Sequence, residues 1–367
     1  MYLSYSHIAF YLFLLICFPV KSQEIITDKS FIYKQDGSIE IFKPKDIDEL
    51  KKLIYSSKIN KSKIIISGKN HSANGSSISN ANEVSLSVIQ FNKILIKEDR
   101  VIVGAGVIVE ELDKILRKNG YCLITKNEGG NGPTVGGFIS AGGIGNSNNV
   151  GFWETVFKIK FIDGKGKINE LTPQNKNFKW LFGSMGQLGV IYEAEIKIKK
   201  LTENDSIEPK NDTTSLFKNN YFFWFPFFVD TQKKDSLKLL VEKLIFQLNS
   251  NPKLSNIQYF LNQEGIDITF KNFNPPLLFN NDRNFTVIGI KLFIEKSDTT
   301  YVAKLTFLRS LIDDFLIENQ IKSYFQVSFY EQNKINVQKY LGIKEYIYLS
   351  KIKKYYDPNN IFGKSIF

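Results

Sequence analysis

Gly129-Gly130-Asn131-Gly132-Pro133-Thr134-Val135-Gly136-Gly137-Phe138-Ile139-Ser140-Ala141-Gly142-Gly143-Ile144-Gly145 holds 8 of the chain's 24 glycines. Glycine admits positive φ and lets another group approach the backbone closely. So dense a cluster marks a place where the chain turns tightly or leaves room for a ligand. On a loop that leads into a short helix, it can align backbone N–H groups against a phosphate. Two phosphate-binding patterns are absent. Gly104-Ala105-Gly106 lacks the third glycine of the dinucleotide fingerprint, and no GxxxxGK[ST] occurs.

Upstream of this cluster the pattern reads strand, helix, strand. Ser38–Phe42 alternates polar and apolar as a half-buried strand does. Asp46–Ile54 has helical spacing with acidic residues in its first turn. Lys63–Ser67 is a short buried strand running into Gly68-Lys69-Asn70-His71-Ser72. Further strands are expected at Glu83–Leu86 and Arg100–Val103, then an amphipathic helix at Glu110–Lys118 with Gly120 as its C-cap. Downstream, strands return at Phe157–Ile162 and Gly189–Ile198. The polar stretch Thr202–Thr214 reads as a linker. After it come the aromatic run Tyr221–Phe228, a helix at Asp235–Leu248, mixed patterns to about Phe329, and a last helix at Tyr346–Tyr356 before Asp357-Pro358.

The formal net charge of +11 carries little functional information. Only Arg100, Arg117, Arg283 and Arg309 among 48 basic residues are arginines. Forks to phosphate and base edges favour arginine, so a nucleic-acid partner is not expected. The scarce residues say more. The chain has two histidines and two cysteines, and His7 and Cys17 lie in the N-terminal apolar stretch. The remaining His71 and Cys122 cannot build a Cys/His zinc site or an internal disulfide, so no metal is expected. Ile8–Val20 is an apolar run too short to span a bilayer comfortably. It has the length of a signal-peptide core, with cleavage expected near Ser22/Gln23. The expectation is a secreted or periplasmic protein with no stable membrane span.

Several segments then occur in a telling order. They are Ser67-Gly68-Lys69-Asn70-His71-Ser72, Arg100–Gly106, Pro133-Thr134-Val135-Gly136-Gly137, Gly183-Ser184-Met185-Gly186-Gln187-Leu188-Gly189-Val190-Ile191, and Asp357-Pro358. This series resembles the FAD-binding domain of the vanillyl-alcohol oxidase / p-cresol methylhydroxylase superfamily of flavoproteins. The resemblance covers residues 35–200 and the tail. It implies an α+β, two-domain flavoprotein: residues 1–22 a signal peptide, 23–200 an FAD-binding domain of two α/β subdomains, 201–330 a smaller α+β substrate cap, and 331–367 a segment returning to the first domain.

By that resemblance Gly68, Lys69, Asn70, His71 and Ser72 wrap the FAD pyrophosphate, and His71 is the attachment point of a flavin held covalently. Members linked twice use a cysteine just before P-T-V-G, where this chain has Gly132, so one link at most is expected. Pro133, Thr134, Gly136, Gly137, Ser140, Gly142, Gly143 and Gly145 would form a second cradle, with Asn146 and Ser147 beside it. Gly189 and Ile191 would lie along the cofactor.

Two groups of members compete. Thr134–Gly151, Gly186–Gly189 and the ending are similar to cytokinin dehydrogenases, which carry an aspartate shortly before T-V-G-G. Here that region offers Glu128 as a base. The compact length and Phe223–Pro226 are similar to aldonolactone and alditol oxidases, in which a lysine preceding D-P stands at the flavin N1/O2 edge. Lys334 holds that spacing, although Glu331-Gln332-Asn333 replaces the usual H-W-G, and Lys364 is a second candidate. The implied function is transfer of a hydride from a CH–OH or CH–NH group of a small molecule, a cytokinin-like amine or a polyol or aldonolactone, to the flavin. Oxygen or a quinone-like acceptor would then reoxidise it. A catalytically degenerate secreted flavin-binding protein is the alternative.

Overall fold

The computed structural model describes residues 25–37, 39–127, 132–146, 150–206, 219–261, 265–268, 273, 275–278, 284–323, 338–339 and 341–364. The apolar run expected to be a signal peptide lies outside these residues.

The first described element is a small antiparallel hairpin of β1 (Ile26–Thr27) and β2 (Lys34–Gln35). It precedes a three-stranded parallel sheet made of β3 (Ile41–Phe42), β4 (Lys63–Ser67) and β5 (Glu83–Ser87), in the order β3-β5-β4. Helix α1 (Ile47–Asn60) connects β3 to β4. Asp46 caps it by accepting hydrogen bonds from the N–H groups of Asp48 and Glu49, and Leu50 and Ile54 are its buried face. Of the strand expected at Ser38–Phe42, Ile41–Phe42 is ladder-paired, and Ser38 lies outside the described residues.

A second, antiparallel sheet follows. Its members are β6 (Ile94–Ile96), β7 (Arg100–Gly104), β8 (Tyr121–Leu123), β9 (Val156–Ile162), β10 (Ile168–Leu171) and β11 (Val190–Lys200), in the order β10-β9-β11-β7-β6 with β8 also on β11. Between its strands run α2 (Val109–Lys118), α3 (Val135–Ala141) and the single turn α4 (Phe152–Thr155). Gly120 takes φ 79° just past α2, the left-handed position that ends helices.

The aromatic run becomes β12 (Asn220–Asp230), the centre of a third, antiparallel sheet. Helix α5 (Lys234–Asn249) leads to β13 (Ile257–Leu261), β14 (Ile266–Ile268) and β15 (Phe285–Glu295). Helix α6 (Tyr301–Glu318) and β16 (Lys322–Ser323) complete the unit, with strand order β13-β15-β12-β16 and β14 on β15. Phe223, Phe225 and Phe227 join Leu237, Val241, Leu305, Leu308 and Ile312 in one core, so α5 and α6 cover that face. Phe228, Phe285 and Val287 belong to the other core, with Trp153 stacked on Phe285 at 6.3 Å. This second unit, called the cap for its position alone, thus docks on the first through the opposite face of its sheet.

Helix α7 (Ile343–Tyr356) brings the tail back to the first unit. Its Lys353 is buried, and Nζ donates to the carbonyls of Gln187 and Phe362 and to Asp357 Oδ2 at 2.7–2.8 Å. Asp357 also accepts from the N–H groups of Ile361 and Phe362. Phe362 then lies beside Ile64, extending the parallel sheet by one bridge. Burial draws the Lys353 ammonium down to about 8, against the pull of Asp357.

Candidate functional site

Strand β4 ends at Ser67, and the next five residues cross the start of α3. Contact there is closest at Gly68, where an added Cβ would sit 2.2 Å from Thr134 Oγ1. That oxygen caps α3 by accepting from the Gly137 N–H at 3.2 Å. Gly136 lies so close to Ala105 that a Cβ would come within 2.8 Å of the alanine's own. Gly104 and Gly106 in turn sit under the carbonyls of Phe91 and Val88. Gly186 packs on Ile66, and Gly189 approaches the carbonyl of Ile162. Four segments separated in sequence therefore converge through glycines that have no room for a side chain.

The donors in this junction divide into two sets. At the start of α3, the N–H groups of Val135, Gly136 and Gly137 are engaged by Val107 O, Ala105 O and Thr134 Oγ1. In the loop after β4, the N–H groups of Lys69, Asn70 and His71 donate to no described residue. Asn70 holds positive φ, 52°, and its Oδ1 is buried without a hydrogen-bond partner among the described residues. A buried polar atom left unmatched is costly, and a ligand, a water or an ion can meet it. The residues present fit a dinucleotide pyrophosphate: unengaged donors come from the loop Lys69–His71, and close packing of Gly68 on Thr134 and of Gly136 on Ala105 fixes that loop and the start of α3 in place.

His71 follows those donors and is half-buried. Burial, aided by the nearby Lys29 ammonium, pushes its imidazole down to about 4, so it is neutral at neutral pH. Ser72 Oγ hydrogen-bonds Ser77 Oγ at 3.1 Å, and Ser72 O accepts from the Lys29 N–H.

The other expected residues lie around this junction in different ways. Pro133 O accepts from Val109 N–H, and Ser140 O from Met185 N–H. Gly142, with φ 73°, faces Leu278 of the cap, Gly143 the Phe138 ring, and Gly145 Thr125 Oγ1. These three serve close packing of the chain on itself. Ile191 is core, paired with Phe161 across β9 and β11. Lys364 is not brought to His71. Its Nζ pairs with Glu83 Oε2 at 3.0 Å, and Glu83 lies opposite Lys63 at the start of β4. The loop leaves from the other end of that strand, about 13 Å away along it. Glu128, Lys334 and Ser147 lie outside the described residues. Cys122 is buried in β8, and burial raises its thiol further from ionisation.

Two features carried no sequence signal. Arg309 of α6 is almost fully buried and donates to Ala73 O beside the histidine loop. Asp28 in the N-terminal hairpin accepts from Gly75 N–H at 3.0 Å. Among the described residues no group of His, Cys, Asp and Glu is placed to hold a metal, and no helix is long and apolar enough to cross a membrane.

Residues 40–172 match the FAD binding domain family, so the module around His71 is an FAD-binding domain, as the superfamily resemblance implied. Three curated relatives carry one name. The D-arabinono-1,4-lactone oxidase of Saccharomyces cerevisiae is 25% identical over 185 residues, 46% of this chain and 35% of that protein. The Candida albicans enzyme of the same name is 24% identical over 218 residues, 51% and 38% respectively. That of Debaryomyces hansenii is 25% identical over 229 residues, 54% and 40%. The matched stretches therefore span well under half of each relative's length.

Proposed function

We propose that this protein is an FAD-dependent oxidoreductase that oxidises a CH–OH group of a small polyol or aldonolactone. The observation that carries the reading is the set of unengaged donors at Lys69–His71, held against Thr134–Gly137 by close packing at Gly68. When bound, FAD supplies the two-electron acceptor, and oxygen or a quinone-like compound regenerates it. The chain's own part is binding and placement. Lys69, Asn70 and His71 offer N–H groups to the phosphates, and the neutral imidazole of His71 keeps a lone pair for a covalent link. Trp153, Phe228 and Phe285 form an apolar floor between the two units that keeps water out. Glu128 and Lys334 remain the proposed groups for moving the substrate proton and holding charge at the flavin edge. Lys364, held by Glu83, is left out of that set. Export through the apolar segment Ile8–Val20 is proposed with this reading.

The test is anaerobic stopped-flow mixing of purified, FAD-loaded protein with polyols, aldonolactones and cytokinins. Rapid bleaching with the first two classes is expected. A protein that stays colourless after added FAD defeats the reading outright. Flavin retained but never bleached favours the degenerate flavin-binding alternative, which Glu331-Gln332-Asn333 in place of H-W-G supports. For the link, flavin fluorescence should stay with the denatured wild-type chain and be absent from His71→Ala.

A further inference from the structure

Arg309 lies on α6 among Leu305, Leu308, Ile312 and Leu316, and it is 1% exposed. A guanidinium in that position loses its hydration, and an apolar residue of similar volume would pack the helix without that cost. One of the arginine's nitrogens is engaged, while Nε and Nη2 have no hydrogen-bond partner among the described residues. Its Nη1 donates to Ala73 O, two residues beyond His71. The same loop is held from the other side by the hairpin of β1 and β2. Ser72 O accepts from the Lys29 N–H, and Gly75 N–H donates to Asp28 Oδ2. The Tyr33 ring fills the space beside Gly75, whose φ is 72°. Asp28, Asp313 and Tyr33 support the buried positive charge that desolvation opposes. Phe31 of the hairpin packs on Tyr221 of β12 at 5.0 Å, and Tyr221 on Tyr301 of α6 at 4.5 Å, so hairpin and cap meet over the loop.

The loop's N–H groups at Lys69–His71 donate to no described residue, and no described N–H within the loop donates to Ser72 O or Ala73 O. The donors for Ser72 O and Ala73 O come from outside. One comes from the hairpin backbone and the other from the cap. We propose that Arg309 is a positioning residue that couples docking of the cap helix to the placement of the His71 loop, so that the cap takes part in shaping the cofactor site as well as any substrate pocket. The inference rests on the flavin reading for its meaning, though its geometry stands without it.

Hydrogen–deuterium exchange on the full chain as purified tests it, comparing wild type with Arg309→Met. Amides of residues 72–79 should exchange at least tenfold faster in the variant, while those of α6 and the cap sheet stay within twofold. In the same samples the visible circular dichroism of bound flavin should weaken or change sign. Loop exchange unchanged within twofold overturns the proposal. So does a parallel rise throughout the cap, which is what a merely structural arginine produces. Should Arg309→Met not fold, Arg309→Lys keeps the charge but not the planar fork. An increase of threefold or more in the loop alone is then expected, and no increase overturns the proposal. A colourless wild-type protein whose loop exchange still depends on Arg309 defeats the flavin reading and leaves the coupling intact. A flavin-loaded protein whose loop ignores Arg309 does the reverse.

Discussion

Residues 40–200 and residues 220–323 are both sheets with helices laid on them, but different contacts hold them together. In the first unit many of the closest approaches are made at glycine backbone positions. Gly104 and Gly189 each lie where an added Cβ would stand 2.1–2.4 Å from a carbonyl oxygen, and Gly68 and Gly136 press on Thr134 and Ala105. In the cap the contacts are between side chains. Alternate residues of β12 face opposite ways, Phe223, Phe225 and Phe227 towards α5 and α6, Trp224 and Phe228 towards the first unit. Close backbone approach leaves no room for substitution but specifies position sharply. Side-chain area tolerates repacking and specifies position loosely. The first kind of construction suits the FAD-binding domain.

The largest effect expected from this contrast lies where the tail closes the first unit. Lys353→Met leaves Asp357 buried with its charge uncompensated, and breaking such a pair typically costs about 3–5 kcal/mol. Calorimetry should show the transition of the first unit falling by roughly 10 °C, with the cap transition unmoved. A uniform shift of both transitions would mean that the two units unfold as one.

Next comes a matched pair of glycines. Gly68→Ala forces Thr134 or the loop to move and should cut flavin retention at least tenfold with little change in melting temperature. Gly289→Ala in β15 meets the Trp224 indole at 2.3 Å and Phe225 O at 2.9 Å. It should cost about 1–3 kcal/mol, as overpacking does, and leave flavin retention alone. If the two variants behaved alike, the division between backbone-built and side-chain-built units would fail.

His71 gives a smaller effect with a defined pH window. Its folded value is about 4 against an ordinary 6.5, so between those limits the unfolded chain binds the extra proton. Stability should therefore fall as pH drops from 6.5 towards 4, by up to ~3 kcal/mol. Denaturant titrations across that range should show the slope in wild type and its loss in His71→Gln. A wild-type profile as flat as the variant's would mean that the imidazole is solvated.

The same division explains what could be read from the sequence. Gly68, Thr134, Gly136 and Gly189 were named through the superfamily resemblance, and close contacts account for the residue type at the three glycines. His71 stood out through scarcity, with only two histidines in the chain. The aromatic run was visible, but its assignment as a central strand needed the alternation that the two cores reveal. Contacts closed by long side chains over long separations left no local trace. Lys364 meets Glu83, 281 residues away, a pairing that no local pattern announced. Arg309 reaches Ala73 across 236 residues, and its only mark in the sequence was being one of four arginines.

The smallest effect separates the helices of the two units. In α1, Asp46 Oδ1 accepts from the N–H groups of Asp48 and Glu49, both at 2.9 Å, so two of the helix's unpaired donors have a side-chain partner. In the cap, α6 begins at Thr300, whose side chain makes no capping bond to the helix and instead donates to Asp298. Asp46→Ala should therefore cost about 1 kcal/mol, whereas Thr300→Ala should stay within roughly 0.5 kcal/mol. Urea midpoints of the two variants, read at constant m-value, measure the difference. Equal losses would show that the cap helix depends on its first turn as much as α1 does. The expected inequality would show α6 held by its buried face, where Leu305, Leu308 and Ile312 pack on the sheet and Arg309 reaches out to the histidine loop.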